Sequence, residues 1–242
     1  MTPLALLNRA VPGSGKTTIS RCIEAAVRAS GLGVTVHSAD DFFLTPARTY
    51  AFDPKLLAQH HARCLAEFRA SLAAGTPLVV CDNTNLSPWQ AEPYSTAARA
   101  AGYRVVLLDF APRALADHVR AQAVTPERPD AHGVPERTLR EMIEEYHANA
   151  RFLDPAYVPD PAIDLRERWN PATLRVERTT EVLRPYDADA VLHVLPDQYV
   201  QAQADVPARL LALMCDDDSW GGRGSPPPAT PSPAASLTLP SS

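Results

Sequence analysis

Residues 10–18 read Ala10-Val11-Pro12-Gly13-Ser14-Gly15-Lys16-Thr17-Thr18. This is the wider form of the Walker A pattern, with Ala10 at the position where the strict form has glycine. The surroundings give the pattern its meaning. The apolar run Leu4–Leu7 ends just before it. From Thr17 onward Ile19, Cys22, Ile23, Ala26 and Val27 recur at the spacing of an amphipathic helix, which stops at Gly31 and Gly33. Strand, glycine loop and helix thus follow in the order a phosphate cradle requires. Gly13 and Gly15 allow the backbone N–H groups to converge as an anion nest. The helix N-terminus adds its partial positive charge beneath them. Pro12, Gly13, Ser14, Gly15, Lys16, Thr17 and Thr18 are therefore the expected nucleotide-binding residues. Lys16 is expected to reach the β- and γ-phosphates and the Thr17 hydroxyl to ligate Mg²⁺, so ATP and Mg²⁺ are the expected ligands.

Working outward, strand-like and helix-like segments alternate. Strands are predicted at Val34–His37, Pro77–Cys81 and Tyr103–Phe110, and helices at Pro54–Ala74, Pro88–Ala101 and about Arg113–Ala123. That alternation predicts an α/β fold of three layers, a P-loop NTPase with a mostly parallel sheet and helices on both faces. Residues 124–134, rich in Pro, Gly and charge, read as a mobile connection. Pro135 then opens a helix with Leu139, Met142, Ile143 and Tyr146 on its apolar stripe. Further on, Asp154–Asp164 is a Pro-rich loop, Thr173–Val176 and Ala190–Leu195 are candidate strands, and Gln198–Met214 is a closing helix. The expected organisation is a kinase-like core over 1–154, an extension over 155–215 that completes or decorates it, and a disordered tail over 216–242.

Two segments end predicted strands with carboxylates, Ser38-Ala-Asp-Asp-Phe-Phe43 and Cys81-Asp-Asn-Thr-Asn85. In a parallel sheet these ends share the rim where the glycine loop lies. Phosphoryl transfer to a hydroxyl calls for a proton acceptor and for a carboxylate near the metal. Asp40 is the candidate base, with Asp41 able to exchange roles with it, and Asp82 is the candidate to hold Mg²⁺ or its waters. The competing reading of each aspartate is a helix cap or a turn residue.

The ordered set PGSGKTT, SADDFF, CDNTN and HGVP, with Tyr50-Ala-Phe-Asp-Pro54 and Pro88–Tyr94, resembles the polynucleotide-kinase-type P-loop kinases and the uncharacterised AAA-type ATP-binding proteins related to them. The resemblance spans roughly residues 4–150. It implies a kinase fold, Asp40 as base, and a nucleotide-sensing lid ahead of the HGVP segment. The chain departs from the pattern at Ala10, at Phe43, where the phage members carry an arginine for the acceptor phosphate, and at Pro129 and Asp130, where many relatives carry Arg-Asn. Arg128, Arg137 and Arg140 flank the lid. Arg128 is the candidate for stabilising charge on the transferring phosphate, against a reading of all three as solvated or paired with Glu136, Glu141 and Glu144. His132 is expected to hold the HGVP turn or to touch the nucleotide.

The remaining features narrow the function. A net charge of −5 argues against a protein that coats nucleic acid generally, without excluding a local basic groove. Cys22, Cys64, Cys81 and Cys215 have neither zinc-knuckle spacing nor a disulfide framework and are expected as reduced thiols. His61 is expected to pack with Leu57, Cys64 and Phe68, and the pair His60 and Cys64 is too small for a metal site. The run Asp216–Asp218 is read as solvated. The apolar start is short and lacks a basic leader, and no run approaches the roughly 18 residues that span a membrane, so a cytoplasmic location is expected. Two functions stay open: transfer of the ATP γ-phosphate to a hydroxyl, on a polynucleotide 5′-end or a small metabolite, and an NTP-dependent switch or assembly ATPase without an acceptor.

Overall fold

Strand β1 (Leu4–Ala10) is buried at every position, which only the centre of a covered sheet permits. The computed structural model describes residues 1–215, so the tail expected over 216–242 and its Asp216–Asp218 run lie outside the described residues. Around β1 the chain adds α1 (Lys16–Ala29), β2 (Val34–His37), a 3-10 turn (Ala39–Phe43), α2 (Leu57–Ala73), β3 (Leu78–Cys81), α3 (Pro88–Ala100) and β4 (Arg104–Phe110). Helices α4 (Leu115–Gln122) and α5 (Glu136–Ala148) follow, then the hairpin β5 (Leu165–Asn170) and β6 (Arg175–Val182), β7 (Ala190–Val194) and α6 (Tyr199–Cys215).

Five strands form one parallel sheet in the order β2-β3-β1-β4-β7. One face packs Leu4, Leu6, Val80, Val106 and Leu108 against Ile19, Ile23 and Val27 of α1 and Val206, Leu210 and Met214 of α6. The other packs Leu7, Val79 and Val105 against Phe68 of α2 and Tyr94 and Ala98 of α3. The chain is thus a three-layer α/β fold. β7 pairs with β4 and α6 lies on α1, so the C-terminal segment supplies both an edge strand and part of the covering layer.

β1 runs beyond Leu7 because the polar Asn8 and Arg9 are buried by partners rather than exposed. Arg9 is fully buried, and its Nη1 pairs with Asp109 Oδ1 at 2.7 Å. Its Nε donates to the Tyr186 hydroxyl at 3.1 Å and its Nη2 to the Tyr146 carbonyl at 2.5 Å. Tyr146 and His193 also meet Asp109 Oδ2, each at 3.0 Å. This network ties α5 and the segment after β6 to the central strands. The hairpin β5–β6 begins earlier and is longer than the strand expected at Thr173–Val176, because its charged, half-exposed residues carry no apolar alternation. In α2 the buried stripe steps by four through Cys64, Phe68 and Leu72 back to His60, not His61. His61 is exposed, whereas His60 lies edge-on to Phe43 at 4.3 Å.

Leaving a buried charge without its partner costs more than the pair contributes. Asp109→Ala, which strands the Arg9 guanidinium, is expected to lower stability by about 3–5 kcal/mol in urea unfolding. Asp109→Asn, which still accepts from Arg9, is expected to lose less.

Candidate active site

The loop between β1 and α1 turns on two left-handed glycines, Gly13 at φ 86° and Gly15 at φ 90°. A Cβ at Gly15 would fall 2.3 Å from the Tyr199 hydroxyl oxygen, and one at Gly13 would fall 3.0 Å from Ala121 Cβ. The positive φ favours glycine at both positions, and the close neighbours leave little room for a side chain. Ser14 Oγ is buried there and has no hydrogen-bond partner, an orphan acceptor and donor in the middle of the loop. Helix α1 starts at Lys16 with no side-chain cap, and its first N–H groups, those of Lys16 and Thr17, stay available to an anion. From α4, His118 secures the loop. It is fully buried, Nε2 accepts from the Arg113 N–H at 3.0 Å, and Nδ1 lies 2.7 Å from the Pro12 carbonyl. That arrangement assigns the proton to Nδ1. Burial holds the imidazole pKa below its ordinary value, so it stays neutral.

Lys16 points inward. Its Nζ donates to the Asp82 carbonyl at 2.9 Å and lies 3.7 Å from Asp82 Oδ1. Burial pulls its pKa down, but Asp82 and Asp40 outweigh that and leave the ammonium raised and charged. Asp82, at the end of β3, accepts from Asn8 Nδ2 at 2.6 Å and Ser20 Oγ at 3.4 Å. All these bonds reach its Oδ1, which among the described residues leaves Oδ2 to other ligands. The next residue, Asn83, accepts from the Ala39 N–H at 2.9 Å and donates to the Tyr94 hydroxyl at 3.0 Å. It thereby holds the 3-10 turn that carries the Asp pair, while Ser38 Oγ caps that turn at the Asp40 N–H.

Lys16, Thr17, Asp40, Asp41, Asp82, Asp130 and His132 all line one cavity of ≈ 560 Å³. The two aspartates of the pair differ. Asp40 is half-buried and accepts from the Tyr50 hydroxyl at 2.8 Å, with His132 Nδ1 3.7 Å from its other oxygen. Asp41 lies further out, and partial desolvation followed by the charges of Asp82 and Asp40 pushes its pKa up. Burial, opposed by Asp40, keeps the His132 pKa low. Arg128 is exposed at the Thr125–Arg128 turn and does not line this cavity; Arg21, Arg28 and Arg48 do. Among the described residues no cluster of three or more His, Cys, Asp or Glu is fit to hold a metal ion. A hydroxyl (Thr17) beside one carboxylate (Asp82) nevertheless suits Mg²⁺, which keeps several waters and takes few protein oxygens beside phosphates.

Sequence reading missed Asn8, Asn83, His118 and Tyr50. The two asparagines lie within or beside segments already singled out, but the partner of His118 is a carbonyl 106 residues away and leaves no local signal.

His118, buried and neutral, links stability to pH. Its folded pKa lies below the unfolded value of about 6.5, so below that pH the unfolded chain binds the extra proton. Its contribution is present above pH ~6.5 and is lost as pH falls. Urea midpoints between pH 7.5 and 5 are expected to fall less steeply in His118→Asn than in the parent.

A family model described as an AAA domain (AAA_33) matches residues 10–148, from the glycine loop to the end of α5. Human NEDD4-binding protein 2 is 28% identical over 147 residues, which are 58% of this chain but 7% of that protein. Among solved structures, Chaetomium thermophilum Kti12 in complex with ADP-AlF3 has a TM-score of 0.50 at 14% identity, over 88% of this chain and 100% of that one. Mycobacterium tuberculosis APS kinase in complex with AMPPNP and APS has a TM-score of 0.46 at 16% identity, over 87% and 98%. The family model covers more than half of the chain, its segment contains the whole loop and the residues that line the cavity, and the chain belongs to this AAA-domain family.

Proposed function

We propose that this chain transfers the γ-phosphate of ATP to a hydroxyl acceptor. The observation that carries the reading is the convergence of Lys16, Thr17, Asp82 and Asp40 on one cavity at the strand rim. A nucleotide-binding module alone would not need a half-buried carboxylate oriented beside the phosphate lysine.

In this reading the loop backbone and the α1 N-terminus hold the phosphates, and Ser14 Oγ finds its partner there. Lys16 leaves the Asp82 carbonyl for the β- and γ-phosphate oxygens, where its charge is worth most as negative charge spreads in the transition state. Thr17 and Asp82 would hold Mg²⁺, which would supply neutralisation of the phosphate charge. Asp40 accepts the acceptor's proton as the acceptor oxygen bonds to phosphorus and the bond to the β-phosphate oxygen breaks. The new phosphate ester and ADP leave, and Asp40 returns its proton to water.

Arg128 serves this step only if the 124–134 segment folds inward, since the turn that bears it faces solvent. Arg21 and Arg48 already line the cavity and are the nearer cations for an acceptor or a phosphate. The acceptor itself is a polynucleotide 5′-hydroxyl or a small metabolite. The described residues contain no helix long and apolar enough to cross a membrane, and a cytoplasmic site of action accords with an ATP-dependent reaction.

The test is ATP turnover with Mg²⁺, without acceptor and with 5′-hydroxyl oligonucleotides, nucleosides and sugars. Lys16→Ala is expected to lower kcat by about 10²–10³-fold, as removal of a transition-state charge contact does. Asp40→Asn is expected to lower acceptor-dependent transfer by about 10²–10⁴-fold. Hydrolysis that ignores every acceptor and is unchanged in Asp40→Asn would move the assignment to an NTP-driven switch.

A further inference from the structure

Asp40 is hydrogen-bonded by Tyr50 and flanked by His132, side chains from different parts of the chain that stack on each other. Tyr50 comes from the loop after the 3-10 turn, which is closed by the Leu44–Tyr50 bridge and by Thr45 and Thr49. Its hydroxyl donates to Asp40 Oδ1 at 2.8 Å. His132 comes from the segment ahead of α5, and its ring stacks on that of Tyr50 with centroids 4.2 Å apart and planes 16° apart. His132 Nδ1 stands 3.7 Å from Asp40 Oδ2. The backbones join as well, since the Tyr50 N–H donates to the Pro129 carbonyl at 3.3 Å.

We infer that Tyr50 and His132 are positioning residues that orient Asp40 and join it to segment 125–133, so that the base is aligned only while that segment lies on Tyr50. The inference rests on the reading of Asp40 as the proton acceptor. A carboxylate free to rotate presents either oxygen in many directions. Here the Tyr50 hydroxyl donates to Oδ1, and Oδ2 stands 3.7 Å from His132 Nδ1. Half-buried offset rings confer a modest stacking energy, enough to favour one position of a short loop without locking it. Segment 125–133 is otherwise anchored by the buried Ala131, by Gly133 N–H to the Gln122 carbonyl at 3.1 Å, and by internal turns closed at Arg128 and Ala131. The segment, which contributes Asp130 and His132 to the cavity lining, is therefore joined to Asp40 through Tyr50.

Two measurements on the full chain test this. Hydrogen exchange over 125–133 needs no acceptor. Tyr50→Ala is expected to speed exchange there, and His132→Ala to speed it over 44–52, whereas Tyr50→Phe, which keeps the ring, leaves both unchanged. Equal exchange in all four proteins overturns the link between the segments. In steady-state transfer, Tyr50→Phe is expected to lower kcat tenfold or more at an unchanged KM for ATP, because it removes the orienting hydroxyl and not the phosphate cradle. An unchanged kcat overturns the hold on the base. If Asp40→Asn leaves transfer intact, the general-base reading fails instead, a result distinct from either of these.

Discussion

The rest of the structure depends on the left-handed turn at Gly13 and Gly15. It lets a fully buried strand pass into a helix within five residues, with the helix N-terminus directed at the rim of the sheet. The turn is closely enclosed, by Tyr199 from the last helix at Gly15 and by Ala121 and His118 from α4 at Gly13. The C-terminal extension is thus part of the loop's packing. Tyr199 also donates to the Gly15 carbonyl at 3.1 Å, and the Arg113 guanidinium lies over its ring at 4.5 Å. The edges of the cradle are set by residues far from it in sequence.

Beneath that turn the polar groups form a frame. Asn8, Asp82, Asn83 and Asn85 all sit at the ends of β1 and β3, buried and hydrogen-bonded to one another or to adjoining backbone. Arg9 and Asp109 continue the frame across to β4 and, through Tyr146, to α5. Such groups are costly to bury singly and tolerable only when each has a partner. Their number at one rim, against an otherwise apolar sheet, separates the chemical end of the fold from its structural end.

Much of this was legible in the sequence because its signals are local. The Walker A loop, the strands before and after it, and the helices α1 and α3 each announce themselves through contiguous residues, and so does the position of Asp40 and Asp82 after strands. A parallel sheet then brings those carboxylates to the loop without further information. What stayed hidden depends on contacts across the chain. Arg9 reads as a surface residue until Asp109 and Tyr186 are beside it. Hairpin β5–β6 is charged along both strands and so lacks alternation. Tyr50 was visible within its motif, but its role depends on Asp40 and on His132, 82 residues further along. Arg128 had the composition expected of a catalytic lid, yet the turn around it faces outward.

Binding of a nucleoside triphosphate by this loop through Lys16 is tested by calorimetric titration of Mg·ATP into the full chain. A saturable binding heat is expected, lost in Lys16→Ala and weakened when EDTA removes the cation. Equal binding by parent and Lys16→Ala, or no binding by the folded parent, would contradict it.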